Sequence, residues 1–113
     1  MRVLVSTQPA PSHFGPLVPY LEALREAGHE VLVACAASFT GAVEDKGFAA
    51  VACGLDWLEV EAAKTFPEVS ELDGRGKLLF SLRHMFGGVL ADAFARDLPA
   101  VIEDWGADVL LWE

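Results

Sequence analysis

Short apolar runs recur along the chain and predict four strands. They lie at Val3–Val5, Val31–Cys35, Phe48–Cys53 and Ala107–Trp112. Continuous apolar runs of this length are typical of parallel strands that are covered on both faces. Between the first two runs, leucines at helical spacing predict an amphipathic helix near residues 16–27.

The first helix has clear start and stop signals. Pro16 and Pro19 are expected in its opening turn, where backbone N–H groups have no partner inside the helix. Gly28 supplies the left-handed stop. His13 is therefore expected in the loop between the first strand and this helix, which is where ligands bind in open α/β folds.

The rest of the chain is less regular. A short helix is expected from Ser38 to Gly47, with the serine as its cap. No period is sustained over 54–77, which predicts an irregular, partly mobile excursion. A long helical pattern follows over 78–105, with breaks or kinks expected at Gly87–Gly88 and at Pro99.

Strands that alternate with helices predict a doubly wound α/β fold with a parallel sheet. The commonest strand order for such a half is 3-2-1-4. We interpret residues 1–113 as one Rossmann-like domain. The first and fourth strands would then be neighbours, and their carboxyl ends would share an edge. On topology alone, His13 and Glu113 should lie side by side there.

Composition and charge exclude several classes of protein. With 53% hydrophobic and 22% charged residues, the chain is globular and not disordered. A formal charge of −9 disfavours nucleic acids and anionic membranes as partners. No run reaches the roughly 18 apolar residues of a membrane span, and no signal peptide is recognisable, so a cytoplasmic location is predicted.

Cys35 and Cys53 end apolar runs and are expected to be buried free thiols, with no metal site.

His13 and Glu113 together suit a general base. An imidazole accepts the proton, while a carboxylate on its other nitrogen fixes the tautomer and stabilises the imidazolium. Such bases typically contribute about 10² to 10⁴ in rate. The alternative is that His13 is an ordinary exposed loop residue and Glu113 an ordinary strand end. His29 is expected to be structural, and His84 either packs on a helix or lines a cavity.

Two segments resemble a known family. The residues from Arg2 to Val5, Ser12 to Pro19 and Leu21 to Val31 resemble the N-terminus of the nucleotide-sugar-dependent GT-B glycosyltransferases that decorate macrolides, enediynes and other natural products. The segment from Asp108 to Glu113 resembles the fourth strand of that family. The resemblance covers essentially the whole chain and is most specific at its two ends.

The resemblance implies that this domain binds the sugar acceptor. His13 would deprotonate the attacking hydroxyl, supported by Glu113, and the transfer would invert the anomeric carbon. The family usually has glycine at the position of Ser12 and often aspartate at that of Glu113, so the acid here is longer by a methylene. Residues expected to contact the acceptor are Ser12, Phe14, Trp57, Phe66, Phe80, His84 and Phe86.

The donor site of the family lies in a C-terminal domain that this sequence lacks, so the nucleotide sugar is expected to bind there and no other cofactor is expected. Alone, these residues should not transfer sugar. The expected partners are a small-molecule acceptor and that missing domain or a second chain. An uncovered sheet face and edge also predict self-association. The alternative is a non-catalytic, glycosyltransferase-like module that binds a small molecule or another protein.

Two other ligand classes fit the sequence less well. A dinucleotide-binding half would need G-x-G-x-x-G after the first strand, and none is present. A cobalamin module would need aspartate two residues before His13 and glycine three residues after it. Pro11 and Pro16 stand at those positions.

Overall fold

One parallel sheet of four strands forms the centre of the molecule. A computed structural model describes residues 1–113. The strands are β1 (Arg2–Ser6), β2 (Glu30–Cys35), β3 (Ala49–Ala52) and β4 (Val109–Trp112). Their order is β3-β2-β1-β4 and every pair is parallel. The predicted α/β fold and strand order 3-2-1-4 are therefore confirmed.

Helices connect the strands and cover both faces of the sheet. They are α1 (Pro11–Glu26), α2 (Thr40–Glu44), α3 (Ala62–Thr65), α4 (Gly74–Phe80) and α5 (Ala91–Trp105). A π-helical segment, Ser81–Leu90, joins α4 to α5 in one continuous helix. Three short 3₁₀ turns lie at Ala37–Phe39, Glu59–Glu61 and Pro67–Glu71.

The alternation of side chains along the strands divides the core into two layers. Val3, Val5 and Val33 face α1 and α2 and pack with residues such as Leu21. Leu4 and the other residues of opposite parity face α5. Successive residues of a strand point to opposite faces, so each strand needs a cover on both sides, as its continuous apolar run indicated.

A third apolar group, here called the aromatic cluster, lies beyond the carboxyl edge of the sheet. Its buried members are Ala36, Trp57, Phe66, Met85 and Leu90. Trp57 and Phe66 meet edge to face, with their ring centroids 6.0 Å apart. The stretch 54–77, predicted to be irregular, thus contains short helical turns and two buried aromatic rings.

The predicted start of the first helix is wrong, because α1 begins at Pro11 and not at residue 16. The residue before a proline is extended, as Ala10 is, and proline fits the first position of a helix. The carbonyl of Ala10 accepts hydrogen bonds from the N–H groups of His13 and Phe14. His13 therefore lies in the first helical turn, where its backbone is fixed, and not in a loop.

Three other boundaries also differ from the sequence prediction. Ser38 does not cap a helix with its side chain; instead its backbone N–H donates to Asp56 across 2.7 Å. The long helix begins at Gly74, capped by the Asp73 carboxylate, and not at residue 78. No break occurs at Gly87–Gly88, where the helix widens, or at Pro99, which lies inside α5.

The helix from Gly74 to Trp105 is unusually long and apolar. An 18-residue window has a mean hydropathy of 1.2, and only 17% of that window is buried. By length and composition alone it would suffice to cross a bilayer, a property that core helices of soluble proteins share. Its buried residues, among them Met85, Leu90 and Ala93, pack within the protein.

Strand β4 lies at the edge of the sheet and leaves apolar surface open. Val109 is 37% exposed and Leu111 is 43% exposed, on the face opposite α5. An unpaired edge with apolar side chains favours association.

We predict that the chain self-associates reversibly in sedimentation velocity as its concentration rises, and that Leu111→Lys weakens the association. Tyr20→Lys, at an exposed site on α1, is the control, and a concentrated parent that stays monomeric would contradict the prediction.

Alanine substitution of Gly54, which follows β3, tests whether this position is closely packed. Its φ is +77°, and a Cβ there would lie 2.8 Å from the Phe94 ring. Gly28 has a φ of +85°, but a Cβ there would meet no atom within 4 Å, so it isolates the backbone strain. We expect Gly28→Ala to lower the free energy of unfolding by about 1–2 kcal/mol. Gly54→Ala should cost about 1–3 kcal/mol more in urea unfolding, because it also overpacks. Equal losses would exclude a rigid contact at Phe94.

Candidate active site

The pairing of β1 with β4 creates the site. Ser6 pairs with Trp112, so the residues that follow the two strands emerge at the same edge of the sheet. Glu113 follows β4 directly, and His13 stands in the first turn of α1, which follows β1. The predicted juxtaposition of these two residues, 100 positions apart in the chain, is present in the structure.

The two side chains of this pair are hydrogen-bonded to each other. His13 Nδ1 contacts Glu113 Oε1. The second oxygen, Oε2, accepts the backbone N–H of Gln8 at 3.4 Å. The side chains are 32% and 33% exposed. The carboxylate is thus held from two sides, while the imidazole stays accessible to a ligand.

This contact fixes the form of the imidazole. A carboxylate only accepts hydrogen bonds, so Nδ1 must carry the hydrogen. In the neutral ring the free lone pair then lies on Nε2, which has no hydrogen-bond partner within the protein. The pair is therefore arranged to take a proton at Nε2 and to stabilise the resulting imidazolium.

A pocket of about 560 Å³ opens beside this pair. Its polar side comes from the ends of β1 and β4, and its apolar side comes largely from the long helix. The lining residues are Ser6, Thr7, Gln8, His13, Phe86, Leu90, Ala91, Phe94, Leu98, Leu110, Trp112 and Glu113. The volume is in the range of small-molecule sites. Because the lining contains no lysine or arginine, it suits a largely apolar ligand with a hydroxyl better than a phosphate.

The structure separates the other predicted contact residues. Only Phe86 lines the pocket together with His13 and Glu113. Phe14 is 3% exposed and packs in the core between Phe39 and Phe48, so its ring points away from the pocket. Ser12 lies on the surface, where its hydroxyl is 3.5 Å from Glu59.

The remaining predicted contacts lie in or beside the aromatic cluster. Trp57 and Phe66 are 4% and 6% exposed, so both rings are buried in this cluster. Phe80 packs on Phe66, and the exposed ring of His84 lies 5.2 Å from that of Phe80. None of these four residues lines the pocket.

Of the main apolar wall, sequence reasoning identified Phe86 and missed the other three residues. Phe86, Leu90, Phe94 and Leu98 recur every four residues and line the pocket along one stripe of the helix. The pattern was visible, but a stripe at this spacing indicates burial and does not say what covers it. Here the stripe covers both the sheet and the pocket.

The cysteines take no part in the site. Cys35 and Cys53 are buried and free, and neither lines the pocket. Burial raises the pKa of each thiol to about 11, so both remain protonated at neutral pH and are poor nucleophiles. No group of three or more His, Cys, Asp or Glu side chains is arranged to hold a metal ion.

Several known proteins are similar to this chain in sequence. In an alignment that extends over 134 residues, the chain is 31% identical to erythronolide mycarosyltransferase of Saccharopolyspora erythraea. The alignment covers 100% of this chain and 32% of that protein. It is 31% identical over 132 residues to 10-deoxymethynolide desosaminyltransferase of Streptomyces venezuelae, covering 100% and 31%. No family profile matches the sequence. The chain thus spans about a third of the length of these relatives.

Solved structures share the fold. The glycosyltransferase SsfS6 of Streptomyces sp. SF2575 superposes with a TM-score of 0.75 at 29% identity, covering 99% of this chain and 33% of that one. The glycosyltransferase VinC, solved in complex with dTDP, gives a TM-score of 0.71 at 26% identity and covers 100% and 29%.

A parallel α/β sheet with a pocket at its carboxyl edge defines a Rossmann-like ligand-binding unit. The sequence and structural matches identify the family more narrowly. In sequence and fold, the chain corresponds to an N-terminal fragment of the GT-B glycosyltransferases, as the resemblance at its two ends indicated.

The hydrogen bond between His13 and Glu113 predicts a specific tautomer. In ¹H–¹⁵N NMR, the neutral ring of His13 should carry its hydrogen on Nδ1, because the carboxylate accepts there. Glu113→Ala should shift His13 toward the Nε2–H form and leave His84 unchanged. Glu103→Ala, at an exposed site on α5, is the control. An Nε2–H ring in the parent protein would contradict the assigned pairing.

Proposed function

We propose that this chain is the N-terminal, acceptor-binding domain of an inverting glycosyltransferase, with His13 as the general base. The observation that carries the proposal is the hydrogen bond from His13 to Glu113 at the mouth of an apolar pocket. The relatives are transferases named for acceptors such as erythronolide and 10-deoxymethynolide. A hydroxylated, largely apolar natural product is the corresponding acceptor for this pocket.

The chemistry requires a base at the acceptor oxygen. An alcohol is a weak nucleophile until its proton is removed, and Nε2 of His13 is the free acceptor that can take it. The acceptor oxygen then forms a bond to the anomeric carbon of the sugar. The bond from that carbon to the diphosphate oxygen breaks on the opposite face, and the electron pair leaves with the nucleoside diphosphate. Glu113 stabilises the imidazolium that results.

The donor is expected to bind outside this pocket. The lining residues offer no cation for a diphosphate. In the proposal, a C-terminal domain binds the nucleotide sugar and presents its anomeric carbon to the acceptor. These 113 residues alone are then expected to bind the acceptor but not to transfer sugar. The protein would act in the cytoplasm on a small molecule.

The alternative is a non-catalytic module with the same pocket, which binds a small molecule or a partner protein. Whether the reading frame continues beyond Glu113 into a donor-binding domain separates the two hypotheses directly. If it does not continue, binding of an aglycone without any turnover supports the alternative.

In the full-length enzyme, we expect His13→Ala to lower kcat by about 10² to 10⁴. Binding of the nucleotide sugar should be unchanged, because His13 lies on the acceptor side. His29→Ala is the control, since His29 lies at the amino end of β2, away from the pocket. Steady-state kinetics with a macrolide aglycone and donor titration by calorimetry measure the two effects. Retained turnover in His13→Ala would remove His13 from the role of base.

A further inference from the structure

Two adjacent glycines specify the π-helical segment Ser81–Leu90 of the long helix, here called the wide turn. A Cβ on Gly87 would lie 2.7 Å from the carbonyl oxygen of Leu82, and one on Gly88 would lie 3.1 Å from that of Arg83. Each oxygen belongs to the residue five positions earlier, as expected where the helix has π geometry. A side chain at residue 87 does not fit this backbone. The glycine pair is therefore what the wide turn requires.

The wide turn changes which residues face the sheet. A π turn holds about one residue more than an α turn, so ten π-helical residues rotate the preceding helix by roughly half a turn relative to α5. Met85 is consequently buried in the aromatic cluster, and Phe80 packs against that cluster. Phe86 is placed at the boundary between that cluster and the pocket.

Phe86 contacts the aromatic cluster on one side and lines the pocket on the other. Its ring lies 6.5 Å from Trp57, centroid to centroid, at an interplanar angle of 65°. The same residue lines the pocket and is 37% exposed. Trp57 is fixed in turn, because the adjacent Asp56 accepts the backbone N–H of Ser38. That hydrogen bond also lowers the pKa of Asp56, so the carboxylate remains charged at neutral pH.

We infer that Gly87 and Gly88 are positioning residues that set the size of ligand the pocket accepts. They act through Phe86, which the wide turn holds against Trp57 as the outer wall of the pocket. Phe86 begins the apolar stripe that continues through Leu90, and it is the member of the stripe nearest the start of the long helix. Reading this ligand as a sugar acceptor rests on the proposed function, whereas the control of its size does not.

Phe86 can limit the size of the ligand because its ring is held in place. Phe86 is 37% exposed, but its contact with the buried Trp57 ring restricts how far it can move aside for a larger ligand. A helix with α geometry through residues 81–90 would rotate Phe86 away from Trp57 and leave the outer end of the pocket open. The glycines thus control selectivity without touching the ligand.

A double-mutant cycle tests the inference with two neutral aromatic probes of different size, 1-naphthol and N-phenyl-1-naphthylamine. The measured quantity is the ratio of their dissociation constants for the folded chain, obtained by fluorescence titration. Phe86→Ala should shift this ratio toward the larger probe by about three- to tenfold. Gly87→Ala should shift it in the same direction. In the Phe86→Ala background, Gly87→Ala should add no further shift, because its effect passes through Phe86.

Gly74→Ala is the matched control, since Gly74 begins the same helix and a Cβ there meets no atom within 4 Å. It should leave the ratio unchanged. If Gly87→Ala does not fold, Gly88→Ala replaces it, because its closest approach of 3.1 Å is milder. If neither folds, an unchanged ratio in Phe86→Ala overturns the inference, and a shifted ratio supports it. Additive shifts in the cycle also overturn it.

The same variants separate this inference from the proposed function. If the parent binds neither probe, the pocket is not the apolar site proposed above. The nuclear Overhauser contact between the rings of Phe86 and Trp57 then tests the glycines alone. Loss of that contact in Gly87→Ala, but not in Gly74→Ala, supports the positioning role, and its retention overturns it.

Discussion

The parallel pairing of β1 with β4 is the constraint on which the rest of the structure depends. Its register aligns Val3 with Val109 and Ser6 with Trp112, and so brings the residues that follow β1 and β4 to one edge of the sheet. Parallel strands cannot be joined by a tight hairpin, and here about a hundred residues, including two further strands and the helices, lie between them. Those residues cover both faces of the sheet and build the wall of the pocket. A shift of one residue in the register would move Glu113 away from His13.

The site combines two local environments that follow from this arrangement. At the sheet edge, strand ends and the first turn of α1 supply fixed polar groups, and the carboxylate of Glu113 is held by both His13 and the Gln8 N–H. On the opposite side, the long helix supplies an apolar surface without a cation. Such a pocket can orient an alcohol toward Nε2 of His13 through contacts to its apolar body. It offers little to a diphosphate, because no lysine or arginine lines it.

The sequence predicted the strands, their order and the pairing of His13 with Glu113, because these follow from apolar runs and from general rules for parallel sheets. It misplaced the start of α1, since Pro16 and Pro19 were assigned to the opening turn, whereas Pro11 begins the helix. Gly87–Gly88 was predicted to be a break or kink, because local propensity cannot distinguish these from a wide turn that tertiary packing stabilises. Phe14 was predicted to contact the acceptor from its place beside His13. Adjacent residues of a helix point in different directions, and its ring is in the core.

If His13 is the base, an acceptor hydroxyl must bind beside its Nε2 atom. The most direct measurement is a crystal structure of the protein with a bound macrolide aglycone. We predict the aglycone in the pocket between the sheet edge and the long helix, with one hydroxyl oxygen about 2.6–3.2 Å from Nε2 of His13. Nδ1 of the same ring should remain on Glu113. An aglycone bound elsewhere, or bound in this pocket with no hydroxyl near Nε2, would contradict the central claim.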